Sequence, residues 1–285
     1  MKVLRSTTMG YCSGVSRVIE MANECLLTAK EQQVPAYSIG WFIHNPTVVT
    51  RFQQAGMHSI NEPQGQEPGI ALIRAHGIAD SLRQDFEQAG FTLIDGTCPT
   101  VAYSQKMIRT ADRESVVIII GQKGHSEVIA LQGVWDEQKK PIPVTVVQTA
   151  QEVAALEDFV GKQILLMVQT TFEQMLYEEL KKAMIERYKD NLVIGNKLCP
   201  TTQRRHKAVH QLCDTVEAVV VVGGKMSANT TALKTLVQSR GLPVWHIENA
   251  SELPSKIFAF ASVGVTAGAS TPAEDIDEVV AALSS

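Results

Sequence analysis

No two of the five cysteines in this chain stand as a Cys-x-x-Cys pair. That absence argues against a structural zinc site, which is normally closed by four ligands in short pairs, and the odd count argues against the disulfide framework of a small secreted domain. Charge of one sign is also lacking: 26 basic against 30 acidic residues leave a net charge of −4. Such a balance offers no footprint for a nucleic-acid backbone or an anionic membrane. Long hydrophobic runs are missing too. The longest, such as Ala218 to Val222 and Val116 to Ile120, have strand length and fall far short of a bilayer span. The chain enters a strand-like run at Met1-Lys2-Val3-Leu4-Arg5, which leaves no room for a secretory or transit segment. The expectation is a cytoplasmic protein without nucleic-acid or membrane partners.

What is present is an ordinary globular composition, 45% hydrophobic and 20% charged over 285 residues, enough for two or three domains. Strand-like runs alternate with helical patterns, which predicts parallel sheets with crossover helices. Strands are expected at Val3 to Ser6, Ala36 to Ile39, Ile70 to Arg74, Thr92 to Asp95, Val116 to Ile120, Val144 to Gln148, Ile164 to Gln169, Ala218 to Val222, Val244 to Ile247 and Val263 to Thr266. Helices are expected at Gly14 to Lys30, Thr47 to Ala55, Asp80 to Ala89 and Glu173 to Tyr188. This rhythm suggests three similar α/β domains, 1–97, 98–197 and 198–285, with the first strand an alternative member of the third domain. In open parallel sheets ligands bind beyond the carboxyl ends of strands, so informative residues should follow strands.

Cys12, Cys98 and Cys199 do so, each in a turn rich in Gly, Pro or Thr, at intervals of 86 and 101 residues. At a helix start the dipole and free amides favour a thiolate, and the shared Cys-Pro-Thr step at Cys98 and Cys199 places Pro in a helical first turn. A lone cysteine is more often a small buried apolar residue, the reading given to Cys25 and Cys213 inside amphipathic helices. Three thiolates from three similar units suggest instead one centre with three sulfur ligands. An iron-sulfur cluster so held keeps one iron open to substrate.

His44, His76 and His125 also lie just past strands, whereas His58, His206, His210 and His246 lack that context. Each of the three could be a satisfied polar residue of its turn. Gly223 to Thr230 and Gly264 to Pro272 each join a strand to a helix through small and hydroxyl residues. Such turns suit either simple capping or a phosphate-type anion at a helix N-terminus. They lack P-loop and dinucleotide spacing, and together with three histidines they point to a phosphate or diphosphate. Glu127 is the one acid embedded in this set and a candidate for proton transfer. Thr170, in Gln169-Thr170-Thr171, could orient a substrate or cap a helix.

With these residues in view the chain resembles the LytB family of 4-hydroxy-3-methylbut-2-enyl diphosphate reductases, the last enzymes of the methylerythritol phosphate route to isoprenoids. The likeness covers nearly the whole chain. It rests on Gly10-Tyr11-Cys12-Ser13-Gly14-Val15 with Arg17, His44-Asn45-Pro46, His76-Gly77, Thr97-Cys98-Pro99, His125 with Glu127, Gln169-Thr170-Thr171, Cys199 with Thr202 and Arg205, Ser227 with Asn229, and Thr266-Ala267-Gly268-Ala269-Ser270. The resemblance implies a trefoil of three parallel-sheet α/β domains around a central 4Fe-4S cluster with an open apical iron, ligated by Cys12, Cys98 and Cys199. It implies that His44, His76, His125, Ser227, Asn229 and Ser270 bind the diphosphate. It assigns Glu127 as proton donor and Thr170 as its helper at the substrate hydroxyl, with His125 also counted among the catalytic groups. The implied reaction is a two-electron reductive dehydroxylation of the allylic diphosphate to isopentenyl and dimethylallyl diphosphate. No flavin or nicotinamide fingerprint is visible, so the implied electron donor is a ferredoxin or flavodoxin.

The chain departs from the family pattern at Pro200 to His206, where the family usually shows Ala before the Thr and Arg-Gln after it, and at Gly96, Ser126 and Ala228. These leave two alternatives: an iron-sulfur redox or oxygen sensor that binds an anion without turnover, and a related enzyme acting on another hydroxylated substrate.

Overall fold

The computed structural model describes residues 1–284. Twelve strands are found among them: β1 (Lys2–Arg5), β2 (Ala36–Ile39), β3 (Met57–Ile60), β4 (Ile70–Ile73), β5 (Thr92–Asp95), β6 (Val116–Ile120), β7 (Val144–Val147), β8 (Ile164–Val168), β9 (Leu192–Ile194), β10 (Ala218–Val222), β11 (Val244–Ile247) and β12 (Ser262–Ala267). The α-helices are α1 (Ser13–Gln32), α2 (Pro46–Gln54), α3 (Asp80–Gln88), α4 (Pro99–Arg109), α5 (Ser126–Gln132), α6 (Ala150–Ala154), α7 (Gln174–Tyr188), α8 (Pro200–Cys213), α9 (Ala228–Ser239) and α10 (Ala273–Ser284). No helix among the described residues is long and apolar enough to cross a membrane.

The strands form three four-stranded, wholly parallel sheets: β3-β2-β4-β5, β7-β6-β8-β9 and β11-β10-β12-β1. One rule generates all three. The second strand lies on one side of the first, the third on the other side, and the fourth beyond the third. In the C-terminal sheet that fourth strand is β1, supplied by the start of the chain. The sheets expected from the alternating pattern are therefore present. Chain order puts β1 first, and hydrogen bonding puts it last in its sheet. One compact unit comprises Met1–Arg17, Ile43–Gln54 and the chain from Pro200 onward; the other comprises Val18–Phe42 and Ala55–Cys199.

Central strands read as continuous apolar runs because helices cover both sheet faces. In β10, Ala218, Val220 and Val222 pack with Ile276, Val279 and Leu283 of α10. The alternate residues Val219 and Val221 pack with Val209 and Leu212 of α8 and with Leu233 and Val237 of α9. In the middle sheet Ile118, Ile120, Ile164, Leu166 and Val168 meet Leu180 and Met184 of α7. On its opposite face Val117, Ile119, Leu165 and Met167 meet Ile108 of α4 and Leu131 of α5. Helix α1 buries Val15, Val18, Ala22, Cys25 and Ala29, a spacing of three and four that lines one helical face.

Strands β3 and β9 escape the sequence pattern. Both are edge strands, paired on one side only, and both are short. His58 is exposed in β3, and Val193 and Ile194 are exposed in β9, so neither carries a clean alternation.

Just past β12, Gly268 lies against α9: a Cβ there would come 2.0 Å from Thr230 Oγ1 and 3.1 Å from its Cβ. Gly268→Ala is expected to destabilise the apo-protein by about 1–3 kcal/mol through overpacking, measured by denaturant unfolding; an unchanged midpoint would show that α9 yields freely.

Candidate functional site

The shared topology sorts the candidate residues by sheet position. Loops after the first strands β2, β6 and β10, and the helix starts that follow them, carry His44, then His125 and Glu127, then Ser227 and Asn229. Loops after the third strands β4, β8 and β12 carry His76, Thr170 and Ser270. Loops after the fourth strands β5, β9 and β1 carry Cys98, Cys199 and Cys12. First and third strands are neighbours between which the winding reverses, the position where open α/β sheets leave a crevice for ligands.

One hydrogen-bond motif recurs in every sheet, at the residue two positions beyond the third strand. In the middle sheet the Thr170 carbonyl accepts the Cys199 amide at 2.9 Å, and the Thr170 amide donates to Glu127 Oε1 at 2.7 Å. In the C-terminal sheet the Ala269 carbonyl accepts the Cys12 amide at 3.2 Å, and its amide donates to Asn229 Oδ1 at 3.0 Å. In the N-terminal sheet the Ala75 carbonyl accepts the Cys98 amide at 2.9 Å, and its amide donates to the Phe42 carbonyl at 3.2 Å. A cysteine loop and the segment after a first strand are thus fastened to the carbonyl and the amide of one residue. Ala75 and Ala269 leave no signal for a sequence reading, since their main chain carries the role.

The cysteines divide by environment. Cys12, Cys98 and Cys199 are partly exposed, whereas Cys25 and Cys213 are buried. Cys98 is the N-cap of α4, and Cys199 immediately precedes Pro200, the first residue of α8. Cys12 Sγ accepts the Val15 amide at 3.4 Å, the kind of contact a metal-bound thiolate receives. The Cys25 thiol faces the Tyr37 and Ile70 carbonyls, and burial pushes its pKa up to about 11, which keeps it a thiol. Cys12, Cys98 and Cys199 are thus the thiols left accessible, a donor chemistry suited to iron and sulfide.

Glu127 is the most unusual titratable group. Its side chain is 1% exposed, and burial pushes its pKa up from 4.5 to about 7 even though two contacts from Thr170 oppose the rise. Thr170 Oγ1 donates to Glu127 Oε2 at 2.8 Å alongside the amide bond to Oε1. An acid so placed is protonated near neutrality and can deliver that proton. His125 caps α5, its Nδ1 accepting the Glu127 amide at 3.1 Å. In the neutral ring this leaves the hydrogen on Nε2, where it can be donated to an anion. The His76 and His125 rings stand edge to face, 5.5 Å between centroids.

In the other unit Ser227 caps α9 through the Thr230 amide, and Asn229 occupies the second helical position. Asn229 Nδ2 also meets Thr202 Oγ1 at 3.4 Å, so its carboxamide orientation is fixed. Ser270 Oγ donates to the His44 carbonyl at 3.2 Å, and Asn45 Nδ2 donates to the Ser270 carbonyl at 2.8 Å. Arg205, 1% exposed, donates to the Gly10 carbonyl beside Cys12. His246, lacking context in the sequence, bonds the Gly223 carbonyl at 2.8 Å through Nε2 and anchors the glycine turn that precedes Ser227. Asn45 could have been found from sequence, because an Asn before Pro at a helix start is a capping pattern; its Oδ1 accepts the Val48 amide.

Comparison with known proteins points to one family. The model of the LytB protein family matches residues 3–284. A 4-hydroxy-3-methylbut-2-enyl diphosphate reductase of Treponema denticola is 37% identical over 98% of both chains. One from Desulfovibrio desulfuricans is 33% identical over the full length of both. Among solved structures, the E-1-hydroxy-2-methyl-but-2-enyl-4-diphosphate reductase of Plasmodium falciparum superposes with a TM-score of 0.92 at 25% identity, covering all of this chain and 88% of that one. A second, described as the terminal enzyme of the non-mevalonate pathway, gives 0.69 at 28% identity over all of this chain and 99% of the other. A match of this extent makes the chain a member of the LytB family.

Proposed function

We propose that this chain is a 4-hydroxy-3-methylbut-2-enyl diphosphate reductase, removing the allylic hydroxyl with two electrons and two protons to give isopentenyl and dimethylallyl diphosphate. The observation that carries the reading is the buried Glu127–Thr170 pair, whose Thr170 also accepts the Cys199 amide at its carbonyl. A protein that only bound an anion would have no use for a sequestered acid at that point. Full-length similarity to reductases from two bacteria supports the same substrate class, a small allylic diphosphate.

The family implies an iron-sulfur cofactor. In our reading it is a 4Fe-4S cluster held by Cys12, Cys98 and Cys199, with one iron left without a protein ligand. When bound, the cluster supplies electrons and a Lewis-acidic iron for the departing hydroxyl. The chain's own residues do the rest. Protonated Glu127 donates through Oε2 to Thr170 Oγ1, which frees the Thr170 hydroxyl hydrogen for the substrate oxygen. That short relay lets a proton arrive as the C–O bond breaks, so that water leaves in place of hydroxide. His125 Nε2, His44, His76, Ser227 and Asn229 donate hydrogen bonds to the diphosphate, and Ser270 joins them by turning its hydroxyl away from the His44 carbonyl. Electrons come from a one-electron carrier of the ferredoxin or flavodoxin type, in keeping with a chain that has no nicotinamide or flavin fingerprint. Thiolate ligation needs a reducing compartment, which favours the cytoplasm.

Anaerobically reconstituted protein, given the allylic diphosphate and a strong one-electron reductant, is expected to form both isoprenoid diphosphates; a loaded cluster without turnover would turn the reading into a sensor or an enzyme for another substrate. Glu127→Gln is expected to retain substrate binding and lose turnover by about 100-fold or more, measured under saturating substrate. For the wild type, kcat/KM should fall as pH rises through about 7, where Glu127 ionises. The same titration sets a stability signature. The folded pKa lies above the ordinary value, so between 4.5 and about 7 the unfolded chain loses its proton first and apo-protein stability declines with pH. Thermal unfolding across that window should show Glu127→Gln gaining on the wild type as pH rises; parallel curves would mean that Glu127 titrates normally.

A further inference from the structure

The side chain of Asn196 does what a strand would otherwise do. Strand β9 pairs with β8 as far as Ile194, and the Gly195 amide still reaches the Leu166 carbonyl at 2.8 Å. The main chain then leaves the sheet. Its next backbone bond to this strand end runs from the Cys199 amide to the Thr170 carbonyl at 2.9 Å. Between them the β8 peptide groups of Val168 have no backbone partner from β9. Asn196 supplies one: Oδ1 accepts the Val168 amide at 2.7 Å, and Nδ2 donates to the Val168 carbonyl at 2.8 Å. A carboxamide has the shape and polarity of a peptide, which is why it fits a ladder position.

The second Nδ2 hydrogen goes elsewhere. It reaches Ser104 Oγ at 2.8 Å, and Ser104 in turn donates to the Thr100 carbonyl in the first turn of α4, directly behind Cys98. Asn196 is 5% exposed and Ser104 fully buried, and the carboxamide is satisfied at both of its donors and at its acceptor. Three pieces of the candidate site meet in this one side chain. They are the strand end that sets Thr170 and Glu127, the segment that leads to Cys199, and the helix that Cys98 caps.

We propose that Asn196 is a positioning residue that fixes the Cys98 and Cys199 loops against the Thr170–Glu127 pair; the inference rests on the reductase reading of the site. It touches neither substrate nor cofactor in this account, and its effect passes through the loops it ties. Buried carboxamides of this sort tolerate no loss of a single donor, because each abandoned peptide group keeps its desolvation cost. Partners one step removed from metal ligands commonly alter metal affinity or activity by about 10–100-fold when replaced.

The test uses the anaerobically reconstituted holoprotein and three variants. Asn196→Ala removes all three bonds, Asn196→Asp keeps the shape and the Val168 amide bond but sets an oxygen against the Val168 carbonyl, and Ser104→Ala cuts only the tie to α4. For Asn196→Ala and Asn196→Asp we expect iron to be stripped by a chelator about tenfold or more faster, altered g-values in the reduced cluster's electron paramagnetic resonance spectrum, and kcat reduced with KM for the allylic diphosphate kept. Ser104→Ala should shift iron release in the same direction by less. If the Ala variant fails to fold, the isosteric Asp variant is read alone. Wild-type iron release and g-values in either loaded Asn196 variant, beside a lowered melting temperature of its apo-protein, would overturn the proposal and leave Asn196 a purely structural residue. Should the wild-type protein load its cluster yet turn over no substrate, the reductase reading fails while iron release and spectra still decide the case of Asn196.

Discussion

A single residue, two positions past the third strand of each sheet, organises the candidate chemistry. Its carbonyl receives the amide of a cysteine and its N–H holds the loop after the first strand, in all three sheets. The cysteine follows the fourth strand because the fourth strand lies beside the third. What each sheet then presents at its first-strand loop differs. The middle sheet offers a carboxyl, the C-terminal sheet a carboxamide, and the N-terminal sheet a backbone carbonyl. A repeated scaffold thus carries three chemically distinct ends.

The carboxyl is the consequential difference. Asn229 at the corresponding bond is neutral at every pH and suited to holding an anion. Glu127 in the same role is an acid whose proton is retained to about pH 7 because it is buried. The two Thr170 bonds favour the anion and burial disfavours it; burial wins, and the balance leaves the group poised near neutrality where a proton donor is most useful. Protection from water and the two Thr170 contacts come from the same packing, so the acid's strength and its aim are set together.

Much of this was legible in the sequence because strong local signals carried it. Unbroken β-branched runs such as Val219 to Val222 marked central strands, and Cys98-Pro99 and Cys199-Pro200 marked helix starts that the structure places at α4 and α8. The strands β3 and β9 were not legible, being short, edge-placed and partly exposed. The sequence left β1 open between the first and third domains, because its place in the C-terminal sheet depends on pairing across more than 250 residues, from Lys2 to Ser262, beyond the reach of any local pattern. Ala75 and Ala269 act through their main chain, so their side chains announced nothing. His246 and Asn196 sat in stretches without a motif, and only the coordinates show that each holds a backbone group with its side chain.

The central claim is that each sheet contributes one sulfur ligand and that one iron has none from the protein. Mössbauer spectroscopy of anaerobically prepared protein enriched in iron-57 tests it most directly. The account predicts a 4Fe-4S cluster in which one iron is spectroscopically distinct from the other three and alone changes when the allylic diphosphate is added. Four equivalent thiolate-ligated irons, or iron not assembled into such a cluster at all, would contradict it.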